Sequence, residues 1–363
     1  MTVTSRLGLA LAVTFTVCFV TGLISHLIQH PPSWFAWPSR PAGLYRVTQG
    51  LHVISGIASI PLLLAKLWNV YPKLFERPVV RSLAHALERG SILVLVASGV
   101  FELITGLFNV AQNYPWNFYF PQVHYALAWV AIGSVVVHIA VKLPLIAEGL
   151  SRRKPGGDAQ DAGDRPRSLS RRAFLGATAA VSGVAVVATA GATVPWLRPV
   201  SLLSWRGSDG KQGVPVNRTA SGAAVIGEAT SPDWRLEVAT RSGVTRFSLD
   251  DLRRMPQTTA ELPIACVEGW SQQATWSGVA LPDLLRAVGA EPGSVVAVTS
   301  LEKNGIYAAS ELPATHTTDP LTLLALRLDG QVLDLDHGYP CRLIAPNRPG
   351  VLQTKWVSRL EVR

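Results

Sequence analysis

The sequence predicts two architectures in one chain: an N-terminal all-α transmembrane bundle of four helices plus a fifth anchor helix, followed by an α+β domain. Three observations predict it. The 363 residues are 48% hydrophobic and only 16% charged, with a mean hydropathy of +0.26, too apolar for an ordinary water-soluble domain. The first half concentrates its apolar residues in five runs long enough to cross a bilayer core, which takes about 20 residues each. The second half breaks into short β-branched runs between turn residues, and it is long enough to bury a core.

The five runs cover residues 7–28, 44–70, 92–110, 123–146 and 173–196. Gly, Ser and Thr recur within them and permit close helix packing in lipid. Pro61 and Pro144 predict kinks or helix ends. Positive charge orients the runs. The connection from the second to the third holds Lys66, Lys73, Arg77, Arg81 and Arg89. That from the fourth to the fifth holds Lys142, Arg152, Arg153, Lys154, Arg165, Arg167, Arg171 and Arg172, and the other two are nearly free of positive charge, with Arg40 and Arg46 in the first. The other two connections carry Trp34, Trp37, Tyr114, Trp116 and Tyr119, an aromatic belt at the opposite interface. This predicts a multi-pass cell-membrane protein with a cytoplasmic N-terminus and an extracytoplasmic C-terminal domain. The net charge of +9 then belongs to cytoplasmic loops, and no nucleic-acid partner is expected.

The boundaries that follow are a four-helix membrane domain at 1–150, a cytoplasmic linker at 151–172, the fifth anchor at 173–198 and the extracytoplasmic domain at 199–363. Gly156, Gly157, Asp158, Gln160, Asp161 and Gly163 give the linker no apolar face to bury. In the last domain, strands are predicted at 235–239, 295–298 and 353–363, and short helices at 249–255 and 282–288.

Six of the eight histidines precede residue 150, and ionisable groups within membrane spans are functional candidates. His124 and His138 lie fourteen residues apart on the fourth run. That is nearly four helical turns, so both face one side, about 21 Å apart along the axis. This spacing resembles di-haem cytochrome b subunits, which implies haem b, one or two groups, with paired axial ligands. The expected pairs are His52 with His124 and His85 with His138. The bland alternative for each is a hydrogen-bonded histidine inside the bundle. Glu102, in the third run, has no role in this scheme.

The three cysteines, Cys18, Cys266 and Cys341, suggest no disulfide framework. Cys341 sits among apolar neighbours and reads as packing. Cys266 is different. It stands in the polar, tryptophan-flanked run Ala265-Cys266-Val267-Glu268-Gly269-Trp270-Ser271. A thiolate suits a soft, redox-active metal, although a free cysteine is more often a small buried hydrophobe.

Beyond Cys266 come Trp276-Ser277-Gly278-Val279, Asp319-Pro320-Leu321, His337-Gly338-Tyr339-Pro340-Cys341-Arg342-Leu343, Gly350 and Lys355-Trp356. Together, from about Asn217 onward, these segments resemble the sulfite oxidase superfamily of molybdopterin-dependent oxidoreductases. The Cys-Val-Glu-Gly-Trp-Ser version is closest to its protein-methionine-sulfoxide reductase branch. The resemblance implies a sulfite oxidase-like α+β fold, molybdenum held by the Cys266 thiolate, and a pterin held by Asn217, Thr299, His337, Arg342 and Lys355. A guanidinium and an ammonium suit its phosphate. Where the family shows a further lysine after its glycine, this chain has Val351-Leu352-Gln353. Sulfite-oxidising members carry Gly-Asn and arginines near the cysteine, whereas Glu268-Gly269-Trp270-Ser271 replaces them here. That favours a neutral sulfoxide over a sulfite dianion, with Glu268 as a proton carrier.

Ser170-Arg171-Arg172-Ala173-Phe174-Leu175 looks like a twin-arginine export signal, which implies the twin-arginine translocase as a partner. The expected function is a membrane-anchored molybdopterin oxidoreductase linking the quinone pool, haem b and an external molybdenum site. It would reduce a small-molecule or protein sulfoxide, or another X=O group. The alternatives are oxidation of a sulfur compound with electrons passed to quinone, and a non-catalytic membrane protein that keeps the fold.

Overall fold

The structure, a computed structural model, describes residues 3–74, 77, 81–151, 170–204 and 210–363. Most of the predicted linker therefore lies outside the described residues. Five long helices come first: α1 (Val3–Gln29), α2 (Leu44–Leu74), α3 (Leu83–Ala111), α4 (Phe120–Ser151) and α5 (Arg171–Thr189). All five are long and apolar enough to cross a membrane. Neither predicted proline break ends its helix: α2 continues past Pro61 and α4 past Pro144. Helix α3 starts earlier than its apolar run because Ser82 caps it, accepting a hydrogen bond from the His85 amide at 3.2 Å. Helix α5 ends at Thr189, short of the predicted 196, and a 3₁₀ turn opens at Pro195.

These helices carry the polarity expected of lipid-facing segments. Leu9, Val13, Leu64, Leu93 and Val136 are exposed, while Ser59, Ser98 and Thr105 are buried. The inward polar groups are satisfied locally or across helices. Ser59 donates to Thr14 at 2.8 Å, and Ser182 donates to the Ala58 carbonyl at 3.2 Å. Small polar residues where helices meet are the usual packing of spans in lipid.

The C-terminal region holds two five-stranded sheets. Its strands are β1 (Arg235–Thr240), β2 (Gly243–Ser248), β3 (Gln257–Ala265), β4 (Ser271–Ala280), β5 (Val296–Ser300), β6 (Ala309–Leu312), β7 (Leu323–Leu328), β8 (Gln331–Val332), β9 (Arg342–Ile344) and β10 (Val357–Val362). Short helices α6 (Ile226–Ala229), α7 (Leu249–Arg254), α8 (Leu281–Ala287) and α9 (Ala314–Thr317) punctuate them. The predicted strands at 235–239 and 295–298 and the predicted helices appear within a residue or two. The first sheet runs β2-β1-β10-β5-β6, with β1 and β10 parallel. The second runs β3-β4-β7-β8, with β9 also paired to β7. Helix α7 starts on a capping box built from Ser248 and Asp251. Leu236, Leu284, Leu324, Leu343, Val357 and Cys341 share one fully buried cluster, so Cys341 is a packing residue.

The chain forms two compact units that do not follow chain order. One comprises Met1–Gly22, Leu51–Ala190 and Pro199–Trp205; the other comprises Leu23–Gly50, Gly191–Arg198 and Arg206–Arg363. The connection between α1 and α2 thus belongs to the same unit as the C-terminal sheets, which a division at 150, 172 and 198 separates.

Truncating the central strand β7 tests this core. Leu324→Ala should cost about 2–5 kcal/mol, the range for removing a fully buried leucine side chain. Thermal unfolding of the detergent-solubilised protein checks it, and a loss below about 1 kcal/mol would place Leu324 outside the core.

Candidate functional site

Strands β3 and β4 pair residue by residue down to Ala265 opposite Ser271. Cys266–Trp270 is therefore the five-residue turn of a long hairpin. The Cys266 amide donates to the Trp270 carbonyl at 2.8 Å, and the Gly269 amide donates to the Cys266 carbonyl at 3.0 Å. These two bonds fix the turn and hold the thiol inward, where Cys266 is only 1% exposed. The Asn217 amide nitrogen lies 3.0 Å from the sulfur. The Glu268 carboxylate is 3.6 Å from the sulfur and accepts from the Trp270 indole at 3.2 Å. Burial, and then the Glu268 charge, push the thiol well above its ordinary range. A thiolate at this position needs a cationic partner such as a metal.

The second part of the site is a turn that closes on itself. Gly338 adopts φ 111°, and a Cβ there would meet Lys355 Cα at 3.1 Å and Arg342 Cβ at 3.2 Å. A glycine at this point lets Arg342 and Lys355 approach. Arg342 opens β9, is buried, and lies over the Trp276 ring at 5.5 Å. Its Nε donates to the Gln353 carbonyl at 3.3 Å. Lys355 donates to the Asp336 carbonyl at 2.7 Å and the Arg218 carbonyl at 3.0 Å. Among the described residues no carboxylate forms an ion pair with either cation. Burial lowers Arg342 to about 10; burial, then Arg342, lowers Lys355 to about 7. An ionised Cys266 thiolate would raise both.

His337 is buried, and its Nε2 faces the Lys211 carbonyl. Nε2 therefore carries the proton, which leaves the buried Nδ1 as an acceptor with no partner among the described residues. Burial chiefly, and the neighbouring cations Arg342 and Lys355, push His337 down to about 4, so it is neutral at ordinary pH. Two cations without carboxylate partners, an inward acceptor and a thiol suit a group with a phosphate, a hydrogen-bond donor and a soft metal.

Asn217 and Glu268 thus touch Cys266, Arg342 and Lys355 lie within its electrostatic reach, and His337 adjoins those two cations. Thr299 is not among them. It lies on the exposed side of β5, because strand side chains alternate and the inward residue is Ser300, which donates to the Lys355 carbonyl at 2.8 Å. Gln353, at the place of the family's further lysine, is buried and donates to the Arg348 carbonyl at 3.0 Å. Sequence reasoning missed Arg348, a buried guanidinium that donates to the Glu311 carbonyl at 2.9 Å and is lowered to about 10 by burial. The nearby Pro346 and Pro349 were the available signal.

A separate constellation lies in the membrane unit. The His52 and His124 rings meet edge-on, with centroids 6.3 Å apart and planes crossed at 82°. His52 Nδ1 donates to the Cys18 carbonyl at 2.8 Å. Glu102 lies 3.0 Å from His124 Nδ1 and Thr105 lies 3.3 Å away. Glu102 thus orients His124. Both rings use Nδ1 locally and keep Nε2 for another partner. Gly22 makes room for His52: a Cβ there would stand 2.8 Å from its ring. His85 sits at the start of α3, its Nδ1 accepting from the Arg81 amide at 3.2 Å, and His138 is half-buried on α4. Among the described residues these two make no ring contact with each other, unlike His52 and His124.

Residues 223–363 match the family described as oxidoreductase molybdopterin binding domain. The C-terminal region carries a domain of this description and is similar to members of the sulfite oxidase superfamily. The chain is 32% identical over 138 residues to "Putative protein-methionine-sulfoxide reductase subunit YedZ1" of Azospira oryzae, covering 38% of this chain and 52% of the relative. It is 26% identical to the mitochondrial sulfite oxidase of Drosophila melanogaster, covering 36% and 27%. It is 27% identical to the protein-methionine-sulfoxide reductase catalytic subunit MsrP of Gluconobacter oxydans, covering 36% and 46%. The chain thus spans about half the length of these relatives or less.

In the cofactor-free protein, Arg342→Met should leave stability unchanged or raise it by about 1 kcal/mol, because it removes a buried charge that has no counterion. The same variant should fail to retain the pterin. Lys355 adds a pH signature. Its folded value of about 7 lies below the unfolded 10.5, so the unfolded chain binds more protons between those values. Stability of the cofactor-free protein should therefore rise with pH from about 7 toward 10.5, the burial cost being complete below 7. Lys355→Met should flatten that rise in denaturant titrations.

Proposed function

We propose that this chain is a membrane-anchored molybdenum oxidoreductase that exchanges electrons between the quinone pool, haem b and its C-terminal site. We propose further that it reduces a sulfoxide-like substrate, small or protein-borne. The observation that carries this reading is the placement of Arg342 and Lys355, two cations without carboxylate partners, beside the buried Cys266 thiol. When bound, the molybdopterin group supplies oxygen-atom transfer coupled to two-electron chemistry. Cys266 provides the thiolate, and the Asn217 amide donates to that sulfur and steadies its charge. Arg342 and Lys355 would neutralise the phosphate, and the neutral His337 would accept a hydrogen bond from the pterin.

Reduction of X=O to X and water consumes two protons and two electrons. Glu268, held by Trp270 beside Cys266, is positioned to hand over protons. The Cys266 turn presents a carboxylate and an indole to the substrate, which favours a neutral sulfoxide over a dianion.

The electrons would come through the membrane unit. His52 and His124, whose ring centroids lie 6.3 Å apart, would hold one haem b, which would supply one-electron transfer when bound. A second haem at His85 and His138 has no comparable support. The α1–α2 connection shares a compact unit with the C-terminal sheets, and in this reading both would face the same side of the membrane. With five spans and the basic loops opposite, this supports an extracytoplasmic catalytic region and a cytoplasmic N-terminus. Arg171 and Arg172 open α5, where a twin-arginine translocase would read them.

Purified in detergent, the protein should contain molybdenum and show a reduced b-type α-band. Cys266→Ser should lower turnover by at least about a hundredfold, a floor set by the effect of losing a mere orienting group. The haem spectrum should not change. His124→Ala should remove a haem and quinol-driven turnover while leaving activity with a soluble dye donor. Full turnover in Cys266→Ser, or full haem content in His124→Ala, would overturn the corresponding assignment.

A further inference from the structure

The family match begins at residue 223, yet the turn that carries Cys266 is held from far outside it. Gln49 is buried, 5% exposed, and its amide nitrogen donates to the Val267 carbonyl at 3.1 Å. Val267 directly follows Cys266, so this bond fixes the Val267–Glu268 peptide plane within the turn that carries the thiol. The Gln49 oxygen faces the Tyr45 hydroxyl at 3.4 Å, and that hydroxyl lies 3.2 Å from Ser25. Arg46 donates to Gln273 on β4 at 2.9 Å, bracing the same hairpin.

The segment that presents Gln49 is anchored throughout. Asn347 is 2% exposed at φ 58°, and residues 37–45 engage each of its polar groups. Its side-chain oxygen accepts from the Tyr45 amide at 2.6 Å, and its side-chain nitrogen donates to the Pro38 carbonyl at 2.6 Å. Its backbone carbonyl accepts from the Trp37 indole at 2.9 Å, and its backbone amide donates to the Ala42 carbonyl at 3.1 Å. Arg40 grips the buried Asp319 carboxylate with two bonds, at 2.8 and 2.9 Å. Ile28 and Tyr45 pack against Ala265 and Leu352.

We infer that the α1–α2 connection and the first turns of α2 are working parts of the molybdopterin site and that Gln49, on α2, is a positioning residue for the Cys266 turn. This rests on the reading of Cys266 as the metal's thiolate ligand. Gln49 touches neither substrate nor cofactor. It acts by pinning the carbonyl after the ligand, so that the thiol keeps one orientation toward the metal. The sulfur's orientation sets how its lone pairs meet the metal, and hence the metal's electronic signature.

The test uses the full-length protein in detergent. In cofactor-free protein, alkylation of Cys266 by iodoacetamide is followed by peptide mass spectrometry. Gln49→Leu should speed it about tenfold, the scale of losing a hydrogen bond to a buried carbonyl and opening the turn more often. Gln49→Glu, which keeps the shape but loses the donor, should act in the same direction, with the melting temperature of each variant measured alongside. In loaded protein, Gln49→Leu should retain molybdenum, shift the g values of its Mo(V) resonance and lower kcat with KM unchanged. Alkylation at the wild-type rate in both variants, or an unshifted resonance in loaded Gln49→Leu, overturns the inference. Failure of the metal reading shows separately, as wild-type protein that is active without molybdenum; the alkylation arm still decides the role of Gln49.

Discussion

The C-terminal site depends on an unbalanced burial of charge. Arg342 and Lys355 are drawn together by the Gly338 turn, and among the described residues no carboxylate pairs with either. Arg342 is buried, while Lys355 is half-buried and feels Asp336 and Glu302 at longer range; cations held this way are costly, and a ligand of opposite charge completes the balance. The surrounding structure manages this cost. The Arg342 plane lies against Trp276, backbone carbonyls receive the Lys355 ammonium, and His337 stays neutral so that it adds no third charge. The hairpin of β3 and β4 then brings a thiol to the same place. Cations and sulfur come from segments more than seventy residues apart in sequence, and only the packed sheets bring them together.

The membrane unit follows a similar logic with different chemistry. His52 and His124 are each tied down at Nδ1, one by a backbone carbonyl and the other by a carboxylate and a hydroxyl. Fixing one nitrogen fixes the tautomer and aims the other. Glu102, an acid within an apolar helix, has its explanation here: its partner is an imidazole on the neighbouring span.

Much of this was legible in the sequence because it rests on local signals. Apolar run length marked the five spans, and composition separated them from the sheets. The polar setting of Cys266 distinguished it from Cys341, which the structure buries in the main core. What escaped reading depends on register and on distant partners. Thr299 and Ser300 are adjacent, and only the pairing of β5 with β10 and β6 decides which faces inward. Arg348 looks like a surface charge until the loop around it closes. Helix α3 begins nine residues before its apolar run, because a cap and not hydrophobicity sets its start. No periodicity or motif marks Gln49, whose partner lies 218 residues away.

The bonds between Asn347 and the α1–α2 connection join residues about three hundred positions apart, and this has a temporal meaning. A ribosome adding roughly 5–20 residues per second needs on the order of 15–60 seconds to travel from one to the other. Throughout that interval Tyr45 and Gln49 wait without the surface they are shaped to meet. Asn347 completes a cradle begun about three hundred residues earlier, so the C-terminal sheets do not finish packing without the α1–α2 connection. Chain synthesis, membrane insertion and closure of the site are thereby ordered in time, with closure last.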